Sequence, residues 1–339
     1  MRPVRLALLV AAVLLAACAP VPPPPPSLTP TLVWPPPPEP ARIRFVASIA
    51  RPEDIEPPRS WLRRVWEVIA GREEIRMQRP YGVAVDPDGQ LYVADAAGRV
   101  IHVYDLERKR YRAIKQIGRR DFRMPIGLAV AADGTLFVSD SELRTVAAFT
   151  RSGRLLREFG GELERPTGLA LSPDGGRLYV VDTTAHRVVV FDAAGRRLST
   201  IGQRGAGGDE FNFPTNVAVD AAGTVYVTDT MNFQVKLFSP DGRPLGRFGQ
   251  HGDGTGDMAR PKGVGTDSDG HIYIIEGLYD VIQIFDRGGR FLLGFGGTGH
   301  RPGNFWLPTG LHIDRRDRIY VADSYNNRVQ IFEYVRGLP

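Results

Sequence analysis

From Pro80 onward the chain alternates short apolar runs with tight polar turns, and the alternation repeats six times. Each copy opens on Pro, any residue and Gly (Asn in the fourth), at Pro80, Pro125, Pro166, Pro214, Pro261 and Pro308. An apolar run follows, then an acidic or Gly-containing turn, then a second run closing on an acid. In the last copy these are Leu311-His312-Ile313, Arg318 to Asp323, and a third run from Arg328 to Phe332. Successive prolines lie 45, 41, 48, 47 and 47 residues apart. A period of this size with four short strands per unit predicts the blades of a β-propeller. Turns such as Asp86-Pro87-Asp88-Gly89 supply the positive-φ residue a hairpin demands.

The pattern therefore predicts an all-β, six-bladed propeller with strands a to d in each blade, strand d of the first running over Arg112 to Ile117. Four residues after each opening proline stand Ala84, Ala129, Ala170, Ala218, Gly265 and His312, small in five cases, as the crowded axis of a propeller requires. Three residues before each proline stand Met77, Phe122, Leu163, Phe211, Met258 and Phe305, large and apolar, which we assign to the core. The last copy ends after its third strand and would leave an unpaired edge. The segment Ile43 to Ile49 has a strand pattern and is predicted to fill that place, closing the ring with the N-terminal end of the chain. A short helix is expected over 58–71, capped by Ser60, with Trp61, Leu62, Val65, Trp66 and Ile69 at helical spacing.

Charge and the N-terminal segment change the picture. The 43 basic and 38 acidic residues give a formal charge of +5; without residues 1–17, which carry Arg2 and Arg5 and no acid, it is +3. That is a small excess for a nucleic-acid binder, so none is expected as partner. Cys18 is the one cysteine, which excludes an intrachain disulfide and a Cys-based metal site. Arg2 and Arg5 precede an apolar stretch from Leu6 to Leu15 too short to span a bilayer. Leu15-Ala16-Ala17-Cys18 closes it and resembles the bacterial lipobox. The resemblance implies a signal peptide over 1–17, lipidation of Cys18 and anchoring in the cell envelope, periplasm-facing; Ala19 at the next position leans towards the outer membrane. Residues 20–40 hold twelve prolines and read as a stalk within 18–41, leaving 42–339 to the propeller.

The repeat units resemble the NHL repeat, best in Tyr320-Val321-Ala322-Asp323-Ser324-Tyr325-Asn326-Asn327-Arg328-Val329 and next in Val227-Thr228-Asp229-Thr230-Met231-Asn232. Taken with the lipobox-like segment, the chain looks like a bacterial six-bladed NHL propeller lipoprotein. Blades two and five depart, since Ser141-Glu142-Leu143 and Glu276-Gly277-Leu278 lack the turn Asn. The resemblance implies a binding platform more than a reaction, although a minority of relatives are metal-dependent lyases or lactonases.

An antiparallel meander puts the d–a connections and the b–c turns at one end of the ring. The d–a connections are long and Gly-rich at Gln203 to Phe213, Gly249 to Arg260 and Gly296 to Leu307, so this end is the expected binding face. Candidate ligand-binding residues are Phe213, Phe233, Tyr279, Trp306 and Tyr325 on its rim, Tyr81 and Lys262 at the channel mouth, and His312 as the odd large residue of the inner ring. The acids ending strand b (Asp95, Asp140, Asp182, Asp229, Glu276 and Asp323) recur in every blade, which marks a structural turn cap and not a catalytic ring. No nucleophile elbow, phosphate-binding Gly loop or hydride-transfer fingerprint occurs. The function expected is thus a non-enzymatic envelope scaffold, monomeric, needing no cofactor and presenting the loop-rich face to a protein partner. The alternative is a metal-dependent enzyme of the peptidyl-amidoglycolate lyase or lactonase kind, with Zn or Ca in the channel.

Overall fold

Six four-position sheets stand around one axis, as the repeat predicts. The computed structural model describes residues 32–55 and 75–336. The signal-like segment, Cys18, most of the stalk and the helix expected over 58–71 lie outside the described residues. Blade one comprises Pro80–Val85, Gln90–Asp95, Val100–Asp105 and Arg110–Ile114. Its outer strand ends earlier than expected, because Gln116–Ile117 pairs instead with Arg120–Asp121 in a small hairpin. Blades two to five repeat the order from Pro125–Val130 to Phe291–Gly296, every pairing antiparallel. Inner strands of successive blades touch all the way round, the sixth meeting the first, so the ring is closed.

The Gly of the opening tripeptide explains how closely those inner strands approach. A Cβ on Gly82 would lie 2.0 Å from the Ile126 carbonyl oxygen, and one on Gly310 would lie 2.1 Å from that of Tyr81. Contacts of that length are forbidden, so a side chain here would push neighbouring blades apart. Between the blades pack the six predicted anchors; Met77, Phe122, Leu163, Phe211, Met258 and Phe305 are all buried. The a–b hairpins turn on Gly89, Gly134, Gly175, Gly223 and Gly270 at positive φ, and on Asp317 in blade six.

Blade six closes the ring as predicted, with one addition. Its own strands are Pro308–Ile313, Arg318–Asp323 and Arg328–Tyr334, and Ile43–Ile49 pairs antiparallel with the last of them, from Ile43 opposite Tyr334 to Ile49 opposite Val329. Val33–Trp34 then adds a fifth strand beyond Ile43–Ile49. The sheet therefore begins within the segment assigned to the stalk, at Val33 and not after residue 41. Trp34 gives the reason: its ring lies 5.7 Å from Phe295 and 5.8 Å from Phe332, an apolar contact strong enough to fix the short strand.

Candidate functional site

The acids at the ends of the b strands are buried caps. Asp95 accepts from the backbone N–H of Gln78, Arg79 and Gly98, and Asp140 from those of Arg123, Met124, Glu142 and Leu143. Glu276 does the same for Ala259, Arg260 and Leu278. Each carboxylate thus ties the segment entering its blade to the b–c turn. Burial opposes ionisation of Asp95, yet its bonds to His102 and to the three backbone N–H groups outweigh it and hold the carboxyl below its usual range. Burial wins at Glu276 and Asp323, whose carboxyls are pushed up.

A second set of clamps was not read from the sequence. The third residue of strand c is His102, Ala147, Val189, Lys236, Gln283 and Gln330 in blades one to six. In the three blades entered by long Gly-rich loops it is polar, and it holds the loop. Lys236 Nζ donates to the carbonyls of Gly207 (2.6 Å) and Glu210, and pairs with Asp229 at 2.9 Å, both side chains fully buried. Gln283 donates to the Asp257 carbonyl and accepts from Gly256 N–H. Gln330 donates to the Asn304 carbonyl and to Asp323, and accepts from Gly303 N–H. The legible signal was a lone polar residue inside each apolar run. All three loops consequently share one shape, with parallel bridges Arg204 to Phe211, His251 to Met258 and Thr298 to Phe305.

These clamps fix the loop-rich face. Phe213, Tyr279, Trp306 and Tyr325 are exposed there, at 40%, 40%, 42% and 45%. Among the described residues they are the exposed aromatic side chains, and all lie at this end; Met231 and Leu278 join them. His300 sets the Trp306 ring edge-on at 5.0 Å and bonds Asn326, while Trp306 lies 5.7 Å from Tyr325. Phe213 packs on His186 at 4.4 Å. Phe233 is less available than expected: it sits half-buried in its b–c turn with His251 at 4.3 Å. The residue before strand c has φ between 53° and 58° in every blade, Phe233 included, a left-handed conformation bulky side chains rarely adopt.

Tyr81 and Lys262 meet at the centre, with Lys262 Nζ over the Tyr81 ring at 5.9 Å. Burial pushes the Tyr81 hydroxyl up. Burial, then the neighbouring Arg260, brings the Lys262 ammonium down to about 8, against a smaller opposing pull from Glu276. His312 lies deeper, in the apolar channel wall, a cavity of about 230 Å³ lined by residues such as Leu128, Leu169 and Val217. Burial lowers its imidazole to about 4, and its ring nitrogens bond to none of the described residues. His186, His251 and His300 belong to separate blades and stay apart. Among the described residues no three His, Cys, Asp or Glu side chains converge as a metal cradle.

Comparison with known proteins agrees with this architecture. The NHL repeat model matches residues 305–332, a SMP-30/gluconolactonase/LRE-like region matches 157–250, and the N-terminal part of a strictosidine synthase-like model matches 79–103. The E3 ubiquitin-protein ligase NHLRC1 of Rattus norvegicus is 41% identical over 59 residues, 17% of this chain and 15% of that protein. Protein brain tumor of Drosophila melanogaster is 28% identical over 159 residues, 44% of this chain and 15% of that one. The chain therefore spans about 15% of the length of these curated relatives. Among solved structures, a streptogramin B lyase superposes with TM-score 0.60 at 13% identity, covering 77% of this chain and 95% of its own. An auxiliary nutrient binding protein from Bacteroides thetaiotaomicron superposes with TM-score 0.59 at 15% identity, covering 77% and 70%. At such identities the likeness is one of fold. Six blades and the matching repeat together support an NHL-type propeller.

Proposed function

We propose that the protein is a non-enzymatic scaffold of the cell envelope, held by lipidated Cys18, that presents its loop-rich face to a protein partner. The observation that carries this reading is the collection of exposed aromatic side chains at one end of a rigid ring. Large apolar groups cost free energy in water and anchor most protein interfaces. Three loops clamped by buried polar side chains hold the rim in place before binding, which lowers the entropy lost on association. The solved fold relatives include a nutrient binding protein, consistent with a binding role for this architecture.

A photo-crosslinker placed at Trp306 in intact cells is expected to capture one dominant protein, in the membrane fraction. Tyr325→Ala should weaken that capture about tenfold, the cost of losing one interface anchor, without changing thermal stability. Cys18→Ser should release the complex from the membrane. Equal capture from Leu245, on an outer strand away from the face, would remove the reading.

The second reading, a metal-dependent lyase or lactonase, draws on the gluconolactonase-like match and on His312 in the channel. Stoichiometric Zn or Ca in the purified chain, lost in His312→Ala, would favour it over the scaffold.

A further inference from the structure

The aromatic rim leaves the centre of the same face unexplained. Around the channel mouth stand Arg79, Arg99, Arg123, Arg260 and Lys262, lining a concavity of about 390 Å³ with Glu142 as its acidic member. Arg165 lies close enough to act on the Tyr81 hydroxyl at the same mouth. None of these six cations forms an ion pair with a described residue. Ion-paired arginines do occur elsewhere, Arg187 with Asp182, Arg290 with Asp286, Arg328 with Asp323 and Arg336 with Asp317; what sets the mouth apart is that its cations line one concavity. Arg79 stacks over Tyr325 at 5.3 Å and Lys262 over Tyr81, so two of the cations are steered by aromatic rings and not by carboxylates.

A cluster in which cations outnumber the nearby Glu142 and Glu276 is unfavourable by itself. Like charges repel, and the concave wall screens them less than open solvent does. We infer that the channel mouth is a binding site for a compact polyanion, a small molecule carrying several phosphate or carboxylate groups. The cations come from the entries and turns of blades one, two, three and five, so a ligand must sit on the axis to meet them together. The channel below is apolar, which confines the charged groups to the mouth. Thr309 and the Tyr81 hydroxyl add polar atoms at its edge. The inference rests on the loop-rich end being the recognition face, and it shares with the aromatic rim only Tyr325, over which Arg79 stacks.

Lys262 gives the site a pH signature. The charged groups facing it are Arg260 and Glu276, with Tyr81 beneath and Arg165 beyond it. With its ammonium brought down to about 8 in the free protein, an arriving anion must raise it again. Binding near pH 8 should therefore take up protons, and affinity should fall as pH rises above 8.

Isothermal titration of the full-length chain with pyrophosphate and with citrate tests the site and separates phosphate from carboxylate. Saturable binding of either is expected, with a heat that depends on the buffer near pH 8. Lys262→Met and Arg260→Gln should each weaken it by roughly tenfold or more, as loss of a charge-assisted contact does. Met suits the half-buried position of Lys262, so that variant should fold. Arg316→Gln at the opposite end should leave the titration unchanged; loss of partner capture alone would then count against the scaffold and not against this site. The inference is overturned by no saturable heat with either anion, by an equal loss in Arg316→Gln, or by a short single-stranded RNA that binds more tightly than both.

Discussion

A chain starting after Ile49 is expected to lose cooperative folding, whereas one starting at Leu32 should keep it. Ile43–Ile49 is the outer partner of Arg328–Tyr334, and without it that strand presents a row of unpaired N–H and C=O groups. Ile43 and Ile49 are buried, and Phe45 and Trp34 pack on Phe332. Each large apolar side chain removed from such a place costs about 1.5–3 kcal/mol, and a domain is stable by only about 5–15 kcal/mol. Four of them, together with the strand pairing, amount to most of that margin. The loss falls where the two ends of the chain meet, so no other blade can replace it. Size-exclusion chromatography and thermal unfolding should show aggregation and no sharp transition for the shorter chain. A monomer melting within a few degrees of the longer one would disprove the closure argument.

Closure was legible because it follows from counting: a sixth unit short of one strand, and an unassigned strand pattern upstream. The fifth strand was not. Val33–Trp34 is flanked by prolines, and Pro35 to Pro38 read as a stalk. In the folded chain those prolines lie in the connection between Trp34 and Ile43, where a missing backbone N–H removes no ladder bond. The acids of the b strands were legible as caps because they recur in every blade. Lys236, Gln283 and Gln330 recur in three only, and a polar residue within an apolar run has no meaning until the loop it holds is seen above it. The mouth cations were hidden for a related reason. Arg79 and Lys262 are far apart in sequence, a formal charge of +5 gives no hint of clustering, and only the closed ring brings them to one axis.

The rim and the mouth share one physical basis. The left-handed apolar side chains Phe213, Phe233 and Leu307 and the depressed Lys262 lie at the loop-rich end. The opposite end turns mostly on glycines, with Lys109 and Asp317 as its left-handed exceptions. Bulky apolar residues held in that conformation mark the loop-rich end as the one organised for display.

Lys236→Met is expected to destabilise the protein by about 3–5 kcal/mol, the cost of leaving one member of a buried ion pair without its partner. Asp229 would keep its bonds from Asn212 N–H and Asn232 Nδ2 but lose the cation at 2.9 Å. The carbonyls of Gly207 and Glu210 would lose their donor, and a methionine offers none in return. The loop over 203–211 should then exchange its amide hydrogens faster, and the urea midpoint should fall. Lys236→Gln distinguishes a clamp from a mere charge. Blade six already works this way, with Gln330 bonded to both the loop carbonyl of Asn304 and the carboxylate of Asp323. Glutamine at 236 can restore a neutral version of the same bridge, so its cost should be nearer 1 kcal/mol, the net worth of a single hydrogen bond. If Met and Gln cost the same, the carbonyl contacts contribute nothing and the loop is held by its own backbone bridges. If Gln is the milder by several-fold in the unfolding constant, one device serves all three long loops, and the shape of the binding face depends on three side chains buried beneath it.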